Sequence, residues 1–276
     1  MKSTVRGVEL DYQLDGEPTG SQLRFVWGHG LTSSRADEGV DPVLLDWSRV
    51  NAATPSLRYD ARGHGLSGFT SEPSAYGWYE MALDQLELID TVGIDTVGID
   101  RFVLGGASMG AGTALHTALL APDRVESLVL VIPPTGWETR AEQTGMYIKM
   151  AEIVEAGKIE ALIQAGAATP APGPFAEDEQ DAERHAERRA ARMRAADPVR
   201  LAGTFRGAAT ANLPSKADVA TIDVPTLILA WSGDPAHPVS SAELLGELMP
   251  QATVSVAATM AEYNTWTDQV LAFLNR

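Results

Sequence analysis

Leu104-Gly105-Gly106-Ala107-Ser108-Met109-Gly110 is the stretch from which the rest of the chain is read. A short β-rich run, Arg101 to Leu104, leads into it, and an apolar helical pattern from Ala111 to Leu120 follows. Strand, G-x-S-x-G and helix come in immediate succession. Glycines on both sides of Ser108 permit a sharp turn there, so its hydroxyl projects from the sheet edge and the next N–H faces the same space. A serine flanked by glycines also occurs in ordinary turns. The motif therefore takes its meaning from what surrounds it.

Working outward, strands and helices alternate. Val8 to Leu14 alternates apolar with polar residues and reads as a strand ending at the Asp15-Gly16 turn. Leu23 to Trp27 and Ser56 to Tyr59 are further strands, and residues 78 to 92 have helical spacing. Thr91-Val92-Gly93-Ile94-Asp95 is repeated at once as Thr96-Val97-Gly98-Ile99-Asp100, and the second copy reads as a lengthened surface connection. Ser127 to Ile132 and Thr226 to Trp231 are continuous apolar runs, as expected of strands covered on both faces of a parallel sheet. A shorter strand covers Thr253 to Val256, a capping box at Ser240 to Glu243 opens a helix to Met249, and Trp266 to Leu274 forms a last helix.

Between Pro133 and Ser215 the strand signal disappears. Helices are predicted from Glu138 to Ala156, from Ile159 to Gly166 and from about Ala176 to Ala196. The run Glu183-Arg184-His185-Ala186-Glu187-Arg188-Arg189 mixes both charge signs and reads as a solvated helix face. The pattern implies an α/β fold with a mostly parallel sheet and an inserted helical cap. The expected division is a core of residues 1–134 and 215–276, with a cap of residues 135–214.

Three further motifs accompany Ser108. Gly28-His29-Gly30-Leu31 follows an early strand, Asp60-Ala61-Arg62-Gly63-His64-Gly65-Leu66-Ser67 follows the next, and Gly233-Asp234-Pro235-Ala236-His237-Pro238 follows a late one. In this order and on these boundaries, the four motifs resemble those of the α/β-hydrolase fold superfamily, over nearly the whole chain. The resemblance implies Ser108 as nucleophile in a nucleophile elbow. It also implies the backbone N–H groups of Leu31 and Met109 as an oxyanion hole, and Asp234 as the acid that orients a histidine.

The base departs from the family pattern. Members usually carry the histidine after the last strand, where this chain has Val256-Ala257-Ala258-Thr259-Met260-Ala261-Glu262-Tyr263-Asn264-Thr265-Trp266. Neither Glu262 nor Tyr263 replaces an imidazole near neutral pH. Of the five histidines, His29 and His64 belong to loop motifs and read as structural. His116 lies two helical turns past Ser108 and reads as packed; His185 sits in the charged helix and is expected to face water. His237 remains, three residues beyond Asp234 in a loop stiffened by Pro235 and Pro238. It either turns toward Ser108 as a relocated base or packs against the following helix.

Composition narrows the function class. Among 276 residues, Lys and Arg number 21 against 37 Asp and Glu, a net charge of −16 that would repel nucleic acid and anionic membrane surfaces. The zero cysteine count excludes disulfides, thiolate metal sites and a cysteine nucleophile. No apolar leader opens the chain and no run spans a bilayer, so a cytoplasmic protein is expected. No metal-ligand spacing, P-loop or dinucleotide fingerprint is present, so no cofactor is expected.

The leading reading is a hydrolase of a carboxylic ester, thioester or lactone, acting through Ser108. A non-hydrolytic lyase or isomerase using the same oxyanion hole stays open, as does a binding protein without turnover. The partner is a small molecule, apolar in part, met by His29, Gly30, Trp137, Met146 and Met150; a homodimer is left open. Apolar cap residues at helical spacing equally form the cap's own core.

Overall fold

A computed structural model of the chain describes residues 1–16, 24–40, 43–96 and 101–276, with backbone alone at 93–96. Among the described residues, eight strands form one sheet: β1 (Lys2–Val5), β2 (Val8–Asp15), β3 (Arg24–Gly28), β4 (Ser56–Tyr59), β5 (Phe102–Ala107), β6 (Val125–Val131), β7 (Thr226–Trp231) and β8 (Ala252–Ala257). Their order is β1-β2-β4-β3-β5-β6-β7-β8, antiparallel at β1-β2 and β2-β4 and parallel from β4 onward.

The twelve helices are α1 (Trp47–Ala53), α2 (Trp78–Thr96), α3 (Met109–Leu120), α4 (Arg140–Glu155), α5 (Ile159–Ala167), α6 (Gly173–Ala176), α7 (Glu179–Ala195), α8 (Pro198–Thr210), α9 (Lys216–Val219), α10 (Val239–Leu248), α11 (Met260–Tyr263) and α12 (Trp266–Leu274), counted among the described residues.

Side-chain alternation along the central strands feeds two cores. Leu104, Leu128 and Leu130 join Leu88, Ile89, Leu115 and Leu245 on the face covered by α2, α3 and α10. Val103, Val129 and Val131 join Trp47, Val50, Trp266 and Phe273 on the face covered by α1 and α12. Because helices cover both faces, β5 and β7 are buried at every residue. Their unbroken apolar sequences are the consequence.

Helices α4 to α8 leave the sheet after β6 and return before β7. They build a third, smaller cluster from Ala151, Val154, Leu162, Leu201, Ala202 and Phe205. Arg140 joins the start of α4 to the end of α8. Its Nε–H donates to the Ala211 carbonyl at 2.9 Å and its guanidinium lies 4.5 Å over the Trp78 ring. It satisfies carbonyls that a helix end leaves open.

Several sequence expectations need amendment. β1 is short and has one apolar residue, but the two-residue turn at Arg6 and Gly7, with φ of 43° and 78°, pairs it to β2. α8 follows an N-cap at Asp197 and a proline at its first position, a start signal present in the sequence. The capping box expected at Ser240 does not form: α10 starts at Val239 after Pro238, without a side-chain cap. A capping box does form at Thr259 and Glu262. The first copy of the repeated pentapeptide lies in α2, whereas residues 97–100 of the second lie outside the described residues.

Candidate active site

Strand register brings the motifs to one end of the sheet. Gly28 pairs with Gly106 across β3 and β5, Ala107 pairs with Val131, and Val131 pairs with Leu229. The segments leaving β3, β5 and β7 therefore emerge side by side at the carboxyl ends of parallel strands, where α/β sheets commonly hold ligands.

Ser108 itself makes the turn from β5 to α3. Its φ of 51° and ψ of −107° lie in a region that costs a non-glycine residue about 1–3 kcal/mol. The flanking glycines permit the turn by supplying clearance, while Ser108 itself takes the positive φ. A Cβ at Gly110 would sit 2.0 Å from the Gly28 carbonyl oxygen, and one at Gly106 would sit 2.3 Å from the Gly110 carbonyl carbon. The helix thus crosses β3 in direct backbone contact immediately after the strained serine. Ser108 N–H donates to the Val131 carbonyl at 3.0 Å, tying the turn to β6.

His237 Nε2 lies 2.7 Å from Ser108 Oγ, and its Nδ1 lies 2.8 Å from Asp234 Oδ2. The three side chains form one hydrogen-bonded chain. Asp234 also accepts from the Trp231 indole at 3.0 Å and from the Ala236 N–H at 2.9 Å. Burial pushes its carboxyl up, but the attraction of His237 and the three hydrogen bonds outweigh burial and hold it well below the usual carboxylate range. An ionised Asp234 accepts only, so the imidazole donates from Nδ1 and Nε2 is left to accept the Ser108 hydroxyl proton. The loop is held by the His237 N–H to the Asp234 carbonyl, 3.2 Å, and by the Thr135 N–H to the Ala236 carbonyl, 3.2 Å.

The other histidines occupy defined places. His29 is buried: its Nδ1–H donates to the Gly30 carbonyl at 2.8 Å and its Nε2 accepts from the Ala61 N–H at 2.9 Å. It joins the loop after β3 to the loop after β4, and burial lowers its pKa. His64 Nδ1 bonds the Arg62 carbonyl, and burial holds its pKa near 3. His116 bonds the Asn212 carbonyl at 2.9 Å. His185 does not face water; it stacks on Phe175 with ring centroids 4.6 Å apart, and burial followed by nearby arginines lowers its pKa to about 4.

The stretch after β8 has other duties. Glu262 accepts from the N–H groups of Ala258 and Thr259 as part of the α11 cap, and the Tyr263 hydroxyl donates to the Val43 carbonyl at 2.7 Å.

Around Ser108, a Cβ built on Gly30 would lie 3.6 Å from both Ser108 Cβ and the Ala107 oxygen, so the β3 loop passes directly beside the serine. Leu31, next in that loop, packs against the α4–α8 cluster with Tyr147 and Met150. Met109 is the first residue of α3, where a helix leaves its N–H groups without internal partners. Trp137 donates its indole to the Pro214 carbonyl at 2.7 Å, and Met146 is 41% exposed.

The family model described as "Alpha/beta hydrolase family" matches residues 25–263. The solved structure of an enol-lactonase from Burkholderia xenovorans LB400 superimposes with a TM-score of 0.81 at 22% identity, covering 100% of both chains. A hydrolase from Pseudomonas aeruginosa PA01 gives a TM-score of 0.77 at 24% identity, covering 100% of this chain and 98% of the other. Both are likenesses of fold. The sn-1-specific diacylglycerol lipase ABHD11 of Mus musculus is 34% identical over 154 residues, 55% of this chain. The match spans 45% of that relative's length.

Proposed function

The chain belongs to the alpha/beta hydrolase family, and from that premise we propose that it cleaves a carboxylic ester, thioester or lactone through an acyl-enzyme on Ser108. The observation that carries this reading is the chain Ser108 Oγ to His237 Nε2, 2.7 Å, and His237 Nδ1 to Asp234, 2.8 Å. Those distances are within proton-transfer reach.

In the first step Ser108 Oγ attacks the acyl carbon while its proton passes to His237 Nε2. The carbonyl π pair moves onto oxygen, where the N–H groups of Leu31 and Met109 receive the charge, worth about 3 kcal/mol per donor in serine hydrolases. Collapse expels the alcohol, thiol or ring oxygen, which takes the proton back from Nε2. Water then repeats the sequence on the acyl-enzyme: its proton goes to His237, the acid leaves and Ser108 is regenerated. Asp234 stays ionised throughout, holding the ring and stabilising the imidazolium. Residues 135–214 act as a cap over the core of 1–134 and 215–276, with Leu31, Met150, Tyr147 and Phe205 as the apolar wall. The names of the relatives, a lactonase and a lipase, support an acyl–oxygen bond as the target.

The test is reaction with a fluorophosphonate and digestion of the adduct. Attachment to Ser108 together with a burst of product from an activated ester is the expected result. No adduct, with turnover unchanged in Ser108→Ala, would sink the reading in favour of non-covalent chemistry on the same scaffold.

A further inference from the structure

Helix α7 turns inward the charges that its sequence assigns to solvent. His185, Arg188 and Arg192 lie three and four residues apart, so they share one helix face. All three are half-buried, while Glu183, Arg184 and Glu187 are exposed.

That face is anchored at both ends. His185 meets the Trp231 ring edge-on at 6.3 Å, and Trp231 holds Asp234. Seven residues along, Arg192 lies in the fields of Asp37 and Glu38, and Arg188 donates to the Asp37 carbonyl. Asp37 and Glu38 follow β3, whereas Trp231 ends β7. Ser108 leaves β5, which stands between β3 and β7 in the sheet. Three strand spacings amount to about 14 Å, and seven helical residues rise about 10 Å. The arginine face therefore reaches from the end of β7 toward the loop that follows β3, two segments on either side of β5 in the strand order.

Arg192 supplies the second observation. Its Nε is buried and has no hydrogen-bond partner among the described residues. Charges of both signs surround it, Arg188 and Arg189 against Asp37 and Glu38, and no acceptor among the described residues takes up its Nε–H. Arg188 is among its nearest charges, the Asp37 carboxylate accepts the Ser34 hydroxyl, and Glu38 is bound to the Trp27 indole. A buried guanidinium N–H without an acceptor is expensive to maintain, and the planar fork fits a carboxylate. We propose that Arg192, with Arg188 beside it, binds a carboxylate of the substrate, so that the enzyme prefers anionic esters or lactones to neutral ones. The proposal rests on the reading of Ser108 as nucleophile and adds the substrate class to it.

Two pairs of substrates test it. p-Nitrophenyl hemisuccinate against p-nitrophenyl valerate places the carboxylate in the acyl part; carboxymethyl butyrate against ethyl butyrate places it in the alcohol part. The expected result is a higher kcat/KM for the anionic member of one pair. That preference falls by about tenfold to hundredfold in Arg192→Met, the loss of one charge-assisted hydrogen bond. Arg192→Lys, which keeps charge and stem, recovers part of it. Arg206→Met, at a half-exposed arginine of α8 paired with Glu155, serves as the control and leaves the ratio unmoved. Equal kcat/KM for both members of both pairs, or equal losses on both in Arg192→Met, overturns the proposal. If no ester is turned over and Ser108 takes no label, the nucleophile reading fails separately. The carboxylate site is then decided by succinate: a rise in Tm for the wild type and none for Arg192→Met supports it, and no rise in either overturns it.

Discussion

At the scale of single residues, His237 and Glu38 make opposite uses of burial. His237 is held by an ionised partner on one side and a hydroxyl on the other, so the function proposed for it depends on Asp234 staying charged. Asp234→Asn loses the acceptor for Nδ1–H and favours the wrong tautomer; kcat should fall by more than about 10³-fold with little change in KM, as for Ser108→Ala. Stopped-flow ester hydrolysis checks both, and a kcat within tenfold of wild type would remove Asp234 from the mechanism. Glu38 is buried against the Trp27 indole, and burial raises its carboxyl from 4.5 to about 7. Between those values the folded chain holds a proton that the unfolded chain has released, so stability falls as pH rises through this window. At about 1.4 kcal/mol per unit, the penalty reaches at most about 3 kcal/mol above pH 7. Glu38→Gln keeps the Trp27 bond without the charge. Its Tm relative to wild type should climb from pH 5 to pH 8, and a constant difference would show that Glu38 titrates normally.

At the scale of elements, the turn from β5 to α3 was legible in sequence, but the division of labour within it was not. A G-x-S-x-G pattern gives spacing; it does not say which residue takes the positive φ and which ones make room. Contact between α3 and β3 decides that, and it is long-range. Gly110→Ala would drive a methyl group into the Gly28 carbonyl. A loss of at least about 2 kcal/mol is expected, read by urea denaturation, because the obstacle is backbone and cannot change rotamer. Unchanged stability would mean that α3 is free to lift from β3. The same limit explains other misreadings. The Ser240 to Glu243 pattern satisfies the capping rule, but the helix begins after Pro238 because the Asp234 to Pro238 loop sets the entry. His185 stands amid charges in sequence, and only the fold places Phe175 beneath its ring. By contrast, Asp234 and His237 were readable as a pair because one short turn joins them and needs no distant contact.

At the scale of the whole molecule, two thick apolar layers grip the sheet, one of them reaching Phe175 of α6, while α4, α5 and α8 build a much smaller cluster of their own. Local opening should follow that difference. Amides of α4, α5 and α7 are expected to exchange with deuterium at least tenfold faster than those of β3, β5, β6 and β7, measured by mass spectrometry on peptides. Equal protection would make the helical layer part of the core's cooperative unit and would leave it no independent motion for admitting substrate. The compact loop from Asp234 to His237 has a further consequence, for heredity rather than for chemistry. When acid and base sit in distant loops, each can be lost or exchanged alone. Here the two residues proposed for these roles, Asp234 and His237, are encoded within a dozen nucleotides, so one small deletion removes the pair and one short graft can transfer it. Diversification of residues 258–265 leaves this cassette untouched, and a mutagenesis library confined there would vary the sheet's far edge while every member kept Asp234 and His237.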